Sequence, residues 1–293
     1  MAQAKVQTTA EPKTERRVVT TIRGRAASDG AGVKLTRVIG QPALPDLDPF
    51  LMLDEFGSDR GADYIGGFPD HPHRGFETVT YMLAGRMRHG DNQGNVGLLR
   101  PGSVQWMTAG RGIVHSEMPE QEEGLMQGFQ LWVNLPARDK MTKPRYQDID
   151  PEKVPVVERA DGTRVKVLVG SFDGVSGPVT DVATDPLYLD VTLPAGVSAN
   201  VPVEAEHNAF AYVFQGTAKI GAGEAAQMVE RGQLAVLSLG DSVTVEGGAK
   251  GSRLILVAGR PLREPVAKYG PFVMNTQDEI RQAIADYQAG KFV

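Results

Sequence analysis

Two of the five histidines of the chain, His71 and His73, are separated by a single residue, Pro72. In a β-strand, residues two apart point to the same face of the sheet, so this spacing places two imidazoles side by side. Pro72 favours an extended conformation for His71 and suits the edge or the end of a strand, where its missing N–H is tolerated. The pair is therefore a candidate for one half of a metal site.

A second pair with the same spacing follows at His115 and Glu117. If the two segments form neighbouring strands, their side chains converge and offer three imidazoles and one carboxylate. Such a set leaves one or two positions of an octahedral metal open to water, substrate or dioxygen, which suits Fe(II), Mn, Ni, Co or Cu. The chain has no cysteine, so this pattern is not that of a closed structural zinc site with thiolate ligands.

Glu77 offers an alternative carboxylate, because it has the same strand parity as His71 and His73. A β-bulge at Gly75 would break that parity and turn Glu77 away. We favour a supporting role for Glu77, in which it accepts a hydrogen bond from a ligand histidine through the ring nitrogen that does not bind metal.

Other residues near the two pairs have more open interpretations. His89 stands before the polar loop "GDNQG" and is expected to be exposed to solvent. Arg74 and Arg111 are adjacent to candidate ligand segments and are expected to hydrogen-bond either a substrate or a neighbouring carboxylate. Three apolar residues flank these segments and are expected either to wall a pocket or to belong to the core: Phe68, Trp106 and Met107.

The elements that must position these residues are strands. Short runs rich in β-branched and aromatic residues recur along the chain and are separated by Gly, Pro, Asn and Asp. The segment "FAYVFQGTAKI" in the second half repeats the cadence of "TVTYMLAGRMR" in the first half. This pattern predicts two all-β barrels or sandwiches built on one plan.

One helix is predicted near the C-terminus. Thr276 and Glu279 have the spacing of a capping box, and Gly290 is a suitable C-terminal stop. The predicted organisation is a disordered tail (1–16), a first barrel that binds metal (17–140), a linker (141–155), a second barrel without metal (156–262) and a C-terminal segment with the helix (263–293).

Composition excludes several classes of function. The net charge of −5 gives no basic surface for direct binding of nucleic acid. No stretch approaches the roughly 18 apolar residues that a membrane-spanning helix needs, and the N-terminus has no apolar segment typical of a signal peptide. We therefore expect a cytoplasmic protein that does not associate with membranes.

The segments "HPHRGFETVTYMLAG" and "PGSVQWMTAGRGIVHSE" together resemble the pirin family of the cupin superfamily, and so does the C-terminal stretch "GRPLREPVAKYGPFVMNTQDEIRQAIADYQAGKF". The resemblance extends from about residue 17 to residue 293. It implies two cupin barrels, each a double-stranded β-helix or jelly roll, with a short C-terminal helix. It also implies one metal ion in the first barrel, usually iron, held by His71, His73, His115 and Glu117. The second barrel offers only His207 at the corresponding place, so we expect no metal there.

The resemblance implies two alternative functions. In the first, the protein is a quercetin 2,3-dioxygenase that uses Fe(II), or Mn, Ni, Co, Cu or Zn in its place, with dioxygen as co-substrate and a flavonol as substrate. Glu117 would then act as the catalytic general base that accepts the proton of the flavonol 3-hydroxyl. In the second, the protein is a non-enzymatic, iron-dependent redox sensor that acts through a protein partner.

Overall fold

The computed structural model describes residues 14–292. The strands as far as residue 149 are β1 (Val18–Arg23), β2 (Arg25–Asp29), β3 (Val33–Ile39), β4 (Phe50–Ser58), β5 (Phe68–His73), β6 (Phe76–Ala84), β7 (Met87–Asp91), β8 (Val96–Leu99), β9 (Val104–Thr108), β10 (Ile113–Pro119), β11 (Met126–Asn134) and β12 (Arg145–Ile149). The following strands are β13 (Val156–Glu158), β14 (Arg164–Val169), β15 (Ser171–Phe172), β16 (Val175–Ser176), β17 (Leu187–Leu193), β18 (Ser198–Pro202), β19 (Asn208–Ile220), β20 (Gln227–Glu230), β21 (Gln233–Leu237) and β22 (Ser242–Gly259). The chain ends with β23 (Ala267–Tyr269), β24 (Phe272–Met274) and the helix α1 (Gln277–Gln288).

The first half of the chain forms two antiparallel sheets. A seven-stranded sheet has the order β12-β9-β6-β11-β4-β3-β2, and a four-stranded sheet has the order β5-β10-β7-β8. The smaller sheet carries both of the candidate ligand pairs, on β5 and β10. The strand pairing thus brings together segments that are about forty residues apart in sequence.

The second half forms one large sheet with the order β1-β21-β19-β22-β17-β14-β13, to which β18 and β20 are added by pairing with β22 and β19. The prediction of an all-β protein with one C-terminal helix is confirmed. Within residues 14–292, none of the three large sheets closes on itself in the strand order, so the strands pack as open, layered sheets.

The N-terminal strand packs against the second half of the chain, and the C-terminal segment packs against the first half. β1 pairs with β21 of the second half, and Arg16 is fully buried there, with Nε donating to the carbonyl of Gly240 at 2.8 Å. At the other end, β24 forms a bridge to Arg74, and α1 packs beside Val114 of β10. The predicted tail lies outside the described residues as far as residue 13, but Arg16 does not belong to it. The other predicted domain boundaries stay a prediction. At both ends of the chain, residues pair or pack with the half that is remote from them in sequence.

The two halves share a core. A buried cluster joins Phe50 and Phe129 of the first half to Phe210 and Tyr212 of the second, with the Phe50 and Phe210 rings 5.3 Å apart in an edge-to-face contact. Such aromatic pairs add stability beyond the burial of their surface. The seven-stranded sheet therefore has one face against the second half and leaves the other face for the candidate site.

The C-terminal helix begins as predicted. The Thr276 hydroxyl accepts from the backbone N–H of Glu279, and the Glu279 carboxylate accepts from the backbone N–H of Thr276, which completes a capping box. Gly290 follows the helix with a φ of +68°, a conformation that favours glycine. In the described part of the chain, no helix is both long enough and apolar enough to cross a membrane.

Candidate metal centre

Strands β5 and β10 bring three histidines together. The strands are antiparallel neighbours, with His115 opposite His71 and Ile113 opposite His73. Because side chains two apart share a face, His71 and His73 both meet His115. The ring centroids lie 4.4 to 4.9 Å apart, and one ring nitrogen from each histidine lies within 4.8 Å of those of the other two.

The hydrogen bonding of these rings leaves nitrogens free to bind a metal. Nδ1 of His73 and Nε2 of His115 are buried and have no hydrogen-bond partner in the structure. Nδ1 of His71 lies 2.8 Å from the carbonyl of Pro69, so its Nε2 remains available. Burial lowers the pKa of both His73 and His115 well below the ordinary value, so both rings are neutral, the form that binds metal. Buried nitrogens without partners are costly unless a ligand occupies them, and a cluster of three imidazoles fits a first-row transition metal.

His89 supports the cluster from the neighbouring strand. Its Nε2 lies 3.0 Å from Nδ1 of His115, which leaves Nε2 of His115 as the nitrogen that faces the other two histidines. The prediction that His89 is exposed was wrong, because the side chain is only 1% exposed. Its alternation with the buried Met87 in "MRHGD" indicates an inward position, and the sequence interpretation missed this signal.

Glu117 is buried beside the cluster but is not one of the three residues that form it. Its Oε1 accepts a hydrogen bond of 2.9 Å from the Thr80 hydroxyl, and Thr80 also contacts the side-chain amide of Gln130. Glu117 lines the same pocket as His71 and His73. Its role as a metal ligand stays a prediction.

Glu77 faces away from the histidines. Gly75 has a φ of +87° between His73 and Glu77, and this turn breaks the strand parity. A Cβ at Gly75 would lie 2.0 Å from the carbonyl oxygen of Val273, so only glycine fits there. The Glu77 carboxylate accepts from the Thr108 hydroxyl at 2.6 Å and lines a separate cleft. The prediction that Glu77 orients a ligand histidine was therefore wrong.

The histidine cluster lies at a pocket of about 730 Å³, within the range typical of sites for small molecules. Phe56, Phe68 and Trp132 give the pocket an aromatic wall, and the Trp132 ring makes an edge-to-face contact with His73 at 5.3 Å. The wall is completed by the turn between β23 and β24, from the C-terminal segment. An aromatic molecule of moderate size would fit between this wall and the histidines.

Other residues near the ligand pairs have structural partners. The Arg74 guanidinium forms an ion pair of 2.8 Å with Asp286 of α1 and stacks on the Phe292 ring at 4.4 Å, so it binds a carboxylate of the C-terminal segment. Trp106 and Met107 belong to buried apolar clusters, whereas Phe68 lines the pocket. Arg111 is exposed at the surface.

The remaining histidine, His207, is in the second half. It is 5% exposed, and its Nε2 lies 3.9 Å from a carboxylate oxygen of Asp185. Among residues 14–292, His71, His73 and His115 are the one group of three or more potential metal ligands with their ligand atoms close together.

Comparison with known proteins places this architecture in a family. A family model described as "Pirin" matches residues 32–133, and one described as "Pirin C-terminal cupin domain" matches residues 188–293. A "Pirin-like protein" of Caulobacter vibrioides is 51% identical over 278 residues, which cover 94% of this chain and 99% of that protein. A protein of Pseudomonas aeruginosa named "Putative quercetin 2,3-dioxygenase" is 52% identical over 271 residues, covering 91% of this chain and 94% of the relative. A crystal structure described as quercetin 2,3-dioxygenase from Acinetobacter baumannii superposes with a TM-score of 0.86 at 31% identity, over 95% of this chain and 99% of that one.

Proposed function

The chain belongs to the pirin family, which has the cupin fold, and we propose that it is a mononuclear iron protein. In this proposal it cleaves flavonols such as quercetin with dioxygen. The observation that carries the proposal is a cluster of three histidines, two of which line a pocket with an aromatic wall. Relatives named for quercetin dioxygenase activity, one of them structurally similar over 95% of the chain, support the same substrate class.

In the proposed site, His71, His73 and His115 hold the metal through ring nitrogens that make no other hydrogen bond, and Glu117 contributes a carboxylate oxygen. The bound metal would supply a Lewis acid and a template for the flavonol hydroxyl and dioxygen. His89 holds the His115 ring in the orientation that binding requires.

Glu117 is the proposed general base. The Thr80 hydroxyl donates to its Oε1, which leaves Oε2 to accept the proton of the flavonol 3-hydroxyl. The flavonol rings would lie along Phe68 and Trp132, and the apolar wall would keep water away from the electron-rich ring as it opens and releases carbon monoxide.

The test is to load the protein with Fe(II), add quercetin in air, and follow both the loss of its visible absorbance and the metal content. We expect His71→Ala to lose metal and turnover together. We expect Glu117→Gln to retain part of the metal and to lose turnover by about 100-fold or more, because a general base contributes on that order. His207→Ala, in the second half, is the matched control and should change neither quantity.

Each result has a defined meaning. Turnover that survives in His71→Ala would contradict the metal site, and undiminished turnover in Glu117→Gln would contradict its role as base. A wild-type protein with a full complement of iron and no turnover would overturn the enzymatic proposal and favour the redox-sensing regulator.

A further inference from the structure

The C-terminal segment supplies part of the pocket wall beside the histidine cluster. Lys268 on β23 and the turn residues Gly270 and Pro271 line the pocket. Two backbone hydrogen bonds to Arg74, 3.2 Å from its N–H to the carbonyl of Pro271 and 3.0 Å from the N–H of Val273 to its carbonyl, fix the segment beside the metal-bearing strand. Residue 268 is thereby held in a defined place although it is remote in sequence from the histidines.

The ammonium group of Lys268 lies over an aromatic ring of the pocket. Its Nζ is 5.6 Å from the centroid of the Trp132 ring, within the range of a cation–π contact. Nζ also lies 3.4 Å from the carbonyl of Leu51, which is a long hydrogen bond. In the part of the chain from 14 to 292, no carboxylate oxygen lies within 4.0 Å of this ammonium.

The other basic side chain of the pocket is already neutralised. Arg37 donates to both carboxylate oxygens of Asp54, at 3.0 and 2.8 Å, and to Asp29 at 2.8 Å. The remaining acidic residues of the wall, Asp70 and Glu117, belong to β5 and β10, the strands of the histidines. Lys268 therefore carries the positive charge of this pocket that has no anionic partner.

Burial acts on the same charge. It lowers the pKa of Lys268, and the neighbouring Arg37 lowers it further, while Asp46 and Asp54 act in the opposite direction. Residue 268 is nevertheless exposed at the rim of the pocket, so its side chain can move to meet a ligand. An anion placed beside the ammonium would favour its charged form and act against both effects.

We propose that Lys268 is a specificity-determining residue that binds an anionic substituent, a phenolate or a carboxylate, on an aromatic ligand whose other end lies at the histidine cluster. The ring of the ligand would lie along Trp132, which contacts both His73 and Lys268. The identity of the ring system rests on the proposed function, whereas the preference for an anion rests on the geometry of Lys268.

The test compares two ligands that differ in one charge: a flavonol with a carboxylate on its phenyl ring, and the methyl ester of the same compound. Binding to Ni(II)-loaded protein under argon is followed by quenching of tryptophan fluorescence, since Trp132 lines the pocket. We expect the wild type to bind the carboxylate about tenfold more tightly than the ester, as one charge-assisted hydrogen bond would give. Lys268→Met should remove that preference without weakening the ester, and Lys268→Arg should keep it.

Lys250→Met, on β22 of the second half, makes the same change in net charge far from the pocket and should behave as the wild type. An equal loss of both ligands in Lys268→Met, a wild type without preference, or no saturable quenching by either ligand would each overturn the inference. Turnover in air is measured separately. Preference for the carboxylate without turnover would refute the proposed dioxygenase and support the role of Lys268. Turnover without that preference would support the dioxygenase and refute the role of Lys268.

Discussion

The imidazole of His89 determines more than the orientation of His115. Burial lowers the pKa of both rings, so both are neutral, and one must donate to the other across the 3.0 Å contact. If Nε2 of His115 offers its lone pair to a metal, the proton of His115 is on Nδ1 and is donated to Nε2 of His89. The proton of His89 must then be on its own Nδ1, so a single tautomer of each ring is compatible with the bound metal.

We predict that His89→Phe, which keeps an aromatic ring but removes the acceptor, weakens metal affinity by about 10- to 100-fold, as loss of such supporting hydrogen bonds does in other metal sites. Competition with a chromogenic chelator measures the dissociation constant. His207→Phe is the control with the same substitution. Unchanged affinity in His89→Phe would show that His115 holds its orientation without this contact.

Strand β6 explains why one carboxylate lies beside the histidines and another does not. Thr80 on this strand faces the pocket and contacts Glu117, whereas Tyr81, the next residue, faces the second half and donates to Asp190 at 2.5 Å. Glu77 has the parity of Tyr81 and lies on the same face. Its burial there, with 2% exposure, raises its pKa to about 7.

The raised pKa of Glu77 predicts that the stability of the protein depends on pH. Its pKa is about 7 in the folded protein against an ordinary value of 4.5, so folded protein retains a proton that the unfolded chain has released. The stability due to the neutral carboxyl is full below pH 4.5 and is lost as the pH rises through 7, a difference of about 3 kcal/mol. We expect Glu77→Gln to be more stable than the wild type at pH 8, with the difference vanishing near pH 4.

Urea denaturation at several pH values measures this difference. Glu224→Gln, an exposed glutamate in a turn of the second half, is the control and should follow the wild type throughout. If the free energies of unfolding of Glu77→Gln and the wild type differed by the same amount at every pH, the raised pKa would be contradicted.

The sequence was sufficient for features that depend on local periodicity. The spacing of His71 and His73 predicted that these two side chains lie together, and the spacing of Thr276 and Glu279 predicted the start of the helix. Glu77 could not be placed in this way. Its direction depends on the φ of Gly75, and that turn is packed against Val273 at the far end of the chain, a contact that no local pattern contains.

The molecule as a whole is held together by contacts between its ends and the opposite halves. Lys140 is 1% exposed, and its ammonium donates to the carbonyls of Gly75 and Val273 and to the side chain of Asn134, at 2.8 to 2.9 Å. Burial lowers its pKa to about 8, so the charged form persists at neutral pH. One side chain thus fastens the C-terminal hairpin to the turn that follows β5, the strand of His71 and His73.

We predict that Lys140→Met lowers the free energy of unfolding by about 3 kcal/mol, because buried acceptors then lose their donor. It should also weaken binding of aromatic ligands, since the wall that contains residues 268–271 is loosened. Urea denaturation and ligand titration measure the two effects. Lys143→Met, at a nearby exposed position, should leave both quantities unchanged, and an equally stable Lys140→Met would contradict the fastening role.

The packing of each chain end against the opposite half could not be predicted from the sequence either, because strand propensity does not specify which strand is the partner. The pattern of residues 18–23 reads as a strand, but only the register with β21 assigns it to the second half. Likewise, the sequence of the helix does not specify which surface covers its apolar residues, and the structure shows that Val114 of β10, next to His115, belongs to that surface.

The packing of the C-terminal hairpin against the first half has a consequence for biosynthesis. A ribosome delivers the chain from its N-terminus, so the strands with all three histidines emerge long before the hairpin that completes their pocket. The order of synthesis therefore separates the appearance of the three histidines from the completion of the pocket wall beside them. Until that hairpin has been synthesised, a nascent chain would present these histidines without the part of the pocket wall that the hairpin supplies.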